Sequence, residues 1–188
     1  CALPIYLKPE ERSYEGLFLA FQYPIEIPGV SNYDFLREIY NIHCKKKGLP
    51  LLDPIEFFNI IKTKMDLINM NENFLKRNIN EGFSGGEKKR NELLQLLLLQ
   101  PKLIILDEID SGLDIDSMIL FTKIINQELF KNCSLLVISH YNRFLEYLRP
   151  NFVHIMQKGE IIKTGDSSLA EIIENKGFTW INPEKRND

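Results

Sequence analysis

Apolar residues recur along this chain at two spacings, the tight runs of buried strands and the three-to-four-residue steps of amphipathic helices. Pro9–Tyr14 predicts a short helix, with proline in its first turn and acidic residues at the positive end of its dipole. Gly16 ends it, and Leu17-Phe-Leu-Ala-Phe21 is rich enough in aliphatic and aromatic side chains for a buried strand. Gln22–Gly29, with two prolines and a glycine, reads as an extended loop. Ser31 or Asn32 can cap a helix carrying Phe35, Leu36, Ile39 and Tyr40 on one face, ended by Lys45–Gly48 and Pro50. Asp53 caps a second helix with Pro54 at its first position and Ile55, Phe58, Ile61, Met65 and Ile68 as its stripe. Residues 31–70 therefore predict an all-helical insert between strands.

The second half alternates more regularly. Ser84 opens a helix of good helix formers that stops before Pro101. Its greasiest stretch, Leu93–Leu99, is interrupted by Gln95 and fits a buried helix. A strand at 103–107, a turn at Ser111-Gly112 and a helix over Asp116–Phe130 follow. Next come strand Ser134–Ile138, a short helix over Asn142–Leu148, and two strands, Phe152–Met156 and Glu160–Lys163, meeting at Lys158-Gly159. A helix over Ser168–Asn175 ends the series. Strands alternating with helices predict an α/β fold with a largely parallel, doubly covered sheet.

At 188 residues the chain is long enough for one well-buried core with a small subdomain. A net charge of −3 gives no electrostatic footprint for nucleic acid. The basic runs Lys45–Lys47 and Lys88–Arg90 read as solvated helix surface. No stretch reaches the roughly 18–20 apolar residues of a membrane span. The three cysteines, Cys1, Cys44 and Cys133, are far apart, which suits a reducing compartment and suggests neither a disulfide framework nor a cluster-ligand set.

Two segments carry chemistry. Leu103-Ile-Ile-Leu-Asp-Glu108 is a hydrophobic strand ending in two carboxylates, and ligands of parallel sheets bind at that end of the strands. Asp107 there can hold Mg²⁺ through water, and Glu108 can take a proton from an attacking water. Ser84-Gly85-Gly86 offers a hydroxyl and two glycines before a helix whose dipole directs roughly half a positive charge at an incoming anion. Gln22, where the first buried strand meets its loop, is a candidate for Mg²⁺ or for the attacking water. His140, just after Ser134–Ser139, stands where a γ-phosphate contact is wanted. Ser111-Gly112-Leu113-Asp114 follows the Asp-Glu strand as a turn toward the next helix. His43 and His154 read as surface and strand residues.

In this order the pieces resemble an ATP-binding-cassette nucleotide-binding domain: Q-loop, signature motif, Walker B strand, D-loop and H-loop. Longer strings are similar to the ATPase subunit of the Suf iron–sulfur assembly machinery. These are Phe21–Asn32, Glu81–Asn91, Leu106–Asp116, His140–Arg143, Asn151–Ile155 and Gly177–Trp180, so the likeness covers nearly all of the chain. The resemblance implies a P-loop-NTPase-like fold divided into strand and Q-loop (1–30), helical subdomain (31–80), signature, Walker B, D-loop and H-loop core (81–166) and C-terminal helix and tail (167–188). It implies ATP and Mg²⁺ as cofactors, with Gln22, Asp107, Glu108 and His140 on one side of a composite site. Ser84, Gly85, Gly86 and Asp114 would act on the nucleotide of a facing ATPase subunit. The implied partners are that second ATPase subunit and a pair of β-helical scaffold subunits, met around Tyr23–Val30. The implied setting is a plastid stroma or bacterial cytoplasm, and frequent isoleucine, asparagine and lysine suit an AT-rich plastid genome.

One departure matters. No Gly-x-x-x-x-Gly-Lys-Ser/Thr phosphate loop occurs in the sequence, and only 21 residues precede Gln22. The expectation is a partial ATPase whose first strands and phosphate loop lie upstream of Cys1, unable by itself to bind ATP tightly or hydrolyse it. Its sheet is expected to show an unpaired edge and apolar surface. Two alternatives stand beside it: a non-catalytic chain that binds scaffold or partner, and the ATPase subunit of a membrane transporter. A charge argument adds that Lys88 or Lys89 could pair with Glu108 or Asp110 at rest and hold the base from water.

Overall fold

The computed structural model describes residues 6–111, 113–129, 133–139 and 142–177. Two compact units divide at Ile138 and Ser139.

The first unit begins with helix α1, Pro9–Tyr14, and strand β1, Leu17–Ala20. Between them Gly16 has φ +96°, and a Cβ there would stand 3.2 Å from the backbone nitrogen of Lys102. That close approach lets the Gly16 carbonyl accept from the amides of Lys102 and Leu103, which sets the register of β1 against strand β4, Leu103–Asp107. Strand β5, Ser134–Ile138, pairs parallel with the other side of β4, giving the order β1-β4-β5. Helix α5, Ile115–Ile124, and a π-helical turn over Ile125–Leu129 make the crossover from β4 to β5. The predicted single helix thus changes its hydrogen bonding in its last turns. Phe130 lies outside the described residues.

Ala20, Ile104 and Leu106 are fully buried in this sheet. Leu19, Leu136 and Ile138 are 37%, 49% and 48% exposed, and β1 and β5 are the two outer strands among the described residues. The parallel α/β architecture matches the sequence pattern, while the face carrying Leu19 and Leu136 stays partly exposed among those residues.

The insert is helical as expected. Helix α2, Asn32–Lys46, is capped by Ser31, whose hydroxyl accepts from the amide of Asp34. Helix α3, Pro54–Leu67, is capped by Asp53, which accepts from Ile55 and Glu56 while Glu56 reaches back to the Asp53 amide. Phe57, Ile61, Met65 and Ile68 are fully buried. Phe57, rather than Ile55 or Phe58, leads the buried stripe, and Ile55 is exposed. Tyr33 and Tyr40 of α2 lie 5.5 and 5.7 Å from the Phe57 ring, so one aromatic side chain joins the two helices. The loop predicted over 22–29 holds a short strand instead. Strand β2, Ile27–Ser31, pairs antiparallel with β3, Asn78–Ile79.

Helix α4, Gly85–Leu99, follows. Leu93, Leu94, Leu96, Leu97 and Leu98 are all buried, which places the helix inside the unit. The left-handed Gln100 closes it.

The second unit contains α6, Asn142–Leu148, a hairpin of β6, Val153–Gln157, with β7, Glu160–Gly165, and α7, Ser168–Lys176. Lys158 and Gly159 both have positive φ, the two-residue turn that suits a twisted hairpin. Phe144, Leu148, Ile155, Leu169 and Ala170 are its buried apolar residues.

Candidate functional site: the carboxyl end of the parallel sheet

Strand β4 delivers Asp107 and Glu108 to its carboxyl end, as the Leu-Ile-Ile-Leu run requires. Glu108 has φ +47°, a left-handed conformation uncommon for a residue with a side chain. Its amide donates to the Ile138 carbonyl at 2.9 Å, and its own carbonyl accepts from Ser111 at 3.1 Å. The turn is therefore tied to β5 and to the following loop, the kind of local strain that surrounding bonds must hold in place.

Gln22 comes to the same place from β1. Its side-chain Nε2 donates to Glu108 Oε2 at 2.6 Å, across a sequence separation of 86 residues. The bond fixes the direction of one carboxylate oxygen of Glu108 at the strand end. With the amide nitrogen committed to Glu108, the Gln22 carbonyl oxygen is a hard donor beside the Asp107 strand end. Among the described residues no group of three or more His, Cys, Asp or Glu side chains could hold a metal. One carboxylate and one amide oxygen suit Mg²⁺, which keeps several waters and takes phosphate oxygens from its nucleotide.

A second cluster forms at the start of α4. Ser84 Oγ accepts from the Glu87 amide, and Glu87 Oε2 accepts from the Ser84 amide at 2.7 Å. This reciprocal cap uses a lone pair of the hydroxyl and leaves its proton for an anion. Gly85 and Gly86 are the first two helical residues, and the nearest atom to a Cβ on Gly86 would be Ser117 Oγ at 3.9 Å. Asp114 caps α5, its Oδ1 accepting from the Ser117 amide at 2.7 Å and its Oδ2 from the Ser117 hydroxyl at 3.0 Å. Those bonds hold the Asp114 carboxyl below the ordinary range, the Ser117 amide being the largest cause. Arg90 Nη2 donates to Ser117 Oγ at 3.5 Å, so Ser117 links the two helix starts.

The structure thus brings Gln22 to Glu108 beside Asp107, and sets Ser84, Gly85 and Gly86 near Asp114. His140 and Gly112 lie outside the described residues. The lysine expectation is corrected. Lys88 pairs with Glu26 at 2.6 Å, and Lys89 pairs with Glu92 at 3.2 Å, so neither ammonium goes to Glu108 or Asp110. Nor is Lys89 solvated helix surface: it is 3% exposed, and Glu92 is 5% exposed. Sequence reasoning missed Glu92 altogether. Its signal was a glutamate between Asn91 and the leucine run, where an apolar residue suits the burial better.

A central parallel strand ending in Asp-Glu, a glutamine reaching it from the neighbouring strand and a Ser-Gly-Gly helix start define an ATP-binding-cassette ATPase. Comparison with known proteins agrees. The family model described as "ABC transporter" matches residues 17–111. A "Probable ATP-dependent transporter ycf16" of Cyanophora paradoxa is 55% identical over 176 residues, covering 94% of this chain and 68% of that protein. "ABC transporter I family member 6, chloroplastic" of Arabidopsis thaliana is 53% identical over 175 residues, covering 93% of this chain and 52% of that protein. In three dimensions the chain is similar to a dimeric ATP-binding cassette in a post-hydrolysis state bound to ADP and Pi. The TM-score is 0.68 at 16% identity, over 86% of this chain and 68% of that one. The chain belongs to the ABC transporter family, as an ABC ATPase chain.

Proposed function

We propose that this chain supplies the metal, water and trans-facing groups of a composite ATP site, in which a second ABC ATPase subunit meets the Ser84–Gly86 helix start. The observation that carries this reading is the Gln22–Glu108 hydrogen bond at 2.6 Å. It supports reading Glu108 as a general base and Gln22 as a water- or metal-directing amide at the same strand end. Glu108 accepts the proton of the attacking water; Asp107 and the side-chain carbonyl of Gln22 would hold Mg²⁺; the Ser84 hydroxyl and the Gly85 and Gly86 amides meet the partner subunit's nucleotide. Mg²⁺ when bound supplies charge neutralisation at the phosphates. His140 contacts the γ-phosphate.

For the partner driven by hydrolysis, the names of the relatives favour a transporter, hence an integral membrane partner. No helix among the described residues is long and apolar enough to cross a membrane, so such a partner contributes the spans. A second reading is an iron–sulfur assembly scaffold, supported by the family-specific strings around the Q-loop, signature and D-loop. Tyr23 and Ile25 are exposed apolar side chains in the segment expected to meet a partner. The chloroplastic relative supports a plastid setting. Tagged protein isolated from its native source, with membranes separated before detergent, decides between them. Recovery with a detergent-extracted membrane protein supports the transporter reading. Recovery in the membrane-free fraction with β-helical subunits overturns it in favour of the scaffold.

A further inference from the structure

Lys89 and Glu92 form a nearly dry ion pair on α4, and the side-chain hydrogen bonds that the pair makes beyond itself go to two consecutive residues. Glu92 Oε1 accepts from the Phe21 amide at 3.1 Å. Lys89 Nζ donates to the Phe21 carbonyl at 2.5 Å and to the Gln22 carbonyl at 3.2 Å, and to Glu92 Oε2 at 3.2 Å. The last registered pair of the β1–β4 ladder is Ala20 with Leu106, so Phe21 and Gln22 lie just past the sheet's own hydrogen bonding. Side chains of α4 take over where the ladder stops.

Packing alone does not explain the choice of residues. An ion pair this buried loses much of its Coulombic gain to desolvation, and well-packed apolar side chains of similar volume often do as well or better. Burial in fact raises the Glu92 carboxyl above its ordinary range, against the opposing pull of Lys89 and the Phe21 amide. What an apolar pair cannot do is fix two backbone groups of Phe21 and the carbonyl of Gln22, whose side chain reaches Glu108.

We infer that Lys89 and Glu92 are positioning residues: by clamping the backbone at Phe21 and Gln22 they aim the Gln22 amide at Glu108. The inference deepens the proposed function and rests on it for its catalytic meaning. It also has a mechanical corollary. The clamp lies one to two turns along the same helix that Ser84 opens, about 7–12 Å at 1.5 Å per residue. A single rigid element therefore carries both the groove offered to the partner's nucleotide and the support for this chain's own base.

The test reads Gln22 directly, in ¹⁵N-labelled protein without nucleotide. The Glu108→Ala variant gives the position of the Gln22 side-chain amide signal when its acceptor is gone. Removing both charges in Lys89→Met/Glu92→Leu leaves no unpaired buried ion, so the fold is retained, and the Gln22 signal moves to that same position. Lys89→Met alone, whose Glu92 can take up a proton, is the second variant should the double one not fold, and it moves the signal likewise. Lys89→Arg restores it, whereas Met65→Ala, a core change remote from the clamp, leaves it where it is in the unaltered protein. An unmoved Gln22 signal in either folded charge-removing variant overturns the inference. Because no turnover is measured, failure of the proposed ATPase role would leave this result standing, and the two failures are distinguishable.

Discussion

The two flanks of the three-stranded sheet are finished in opposite ways. On the β1 flank the chain leaving the sheet is gripped by charged side chains that are themselves almost wholly buried. On the β5 flank, Leu136 and Ile138 stand about half exposed, and no such grip on the chain is seen there among the described residues, although β5 is an edge strand just as β1 is. Composition would suggest the reverse, since β5 reads Ser-Leu-Leu-Val-Ile and Gln22–Gly29 reads as loop. Apolar sequence therefore marks a strand built for a covered position, and buried charge marks a place where geometry matters more than packing.

The largest expected effect sharpens this contrast at the chemistry. In an assembly that turns over ATP, Glu108→Gln should lower kcat by about 10²- to 10⁴-fold, the usual contribution of a general base. Retained nucleotide binding with lost turnover, measured by filter binding and phosphate release, is the expected pattern; unaltered turnover breaks the assignment of the β1 flank as the reacting side.

Next comes a matched pair of core changes. Ile104→Ala, on the covered face of β4, should cost roughly 2–5 kcal/mol in urea denaturation. Leu136→Ala on β5 should stay within roughly 1 kcal/mol. Equal costs would mean that the β5 flank is covered in solution, and the comparison would fail.

A smaller change is expected at the start of α4. Ser84→Ala removes the acceptor for the Glu87 amide and should cost roughly 0.5–2 kcal/mol, read by the same denaturation. Ser84→Asp keeps the cap and restores stability, yet places a negative charge where the partner's phosphate is proposed to sit, so stability and turnover should separate.

The smallest effect is a pH dependence in the insert. Burial, with Lys47 adding to it, lowers the His43 imidazole below its ordinary 6.5. The unfolded chain then binds more protons than the folded one, so stability falls as pH drops from about 6.5 toward the folded value and levels off below it. His43→Gln should flatten that part of the curve in thermal melts at pH 5–7; an unchanged slope assigns it to another group.

Much of this was legible beforehand because local chemistry settled it. Ser31, Asp53 and Ser84 cap the helices they precede, and Leu103–Asp107 could scarcely be anything but an interior strand. The pairing of Gln22 with Glu108 was legible only as motif order. The β2–β3 pairing was not, since Pro28 and Gly29 mask the strand and its partner is two residues long. Phe57 took the core position offered to Phe58 because two tyrosines of α2 converge on it, a tertiary fact. Lys89 was misread for the same reason: its partners are carbonyls 67 and 68 residues away, and no local pattern announces them.

A last consequence follows from three asparagines. Asn32 at the start of α2 donates to Asn91 of α4, Asn91 to Asn80, and Asn80 to the carbonyl of Ile25, all at 2.8–3.0 Å. Carboxamides do not titrate and are barely screened by salt. The joint between insert, signature helix and Q-loop should therefore hold through swings in acidity and ionic strength that loosen the Lys88–Glu26 tie beside it.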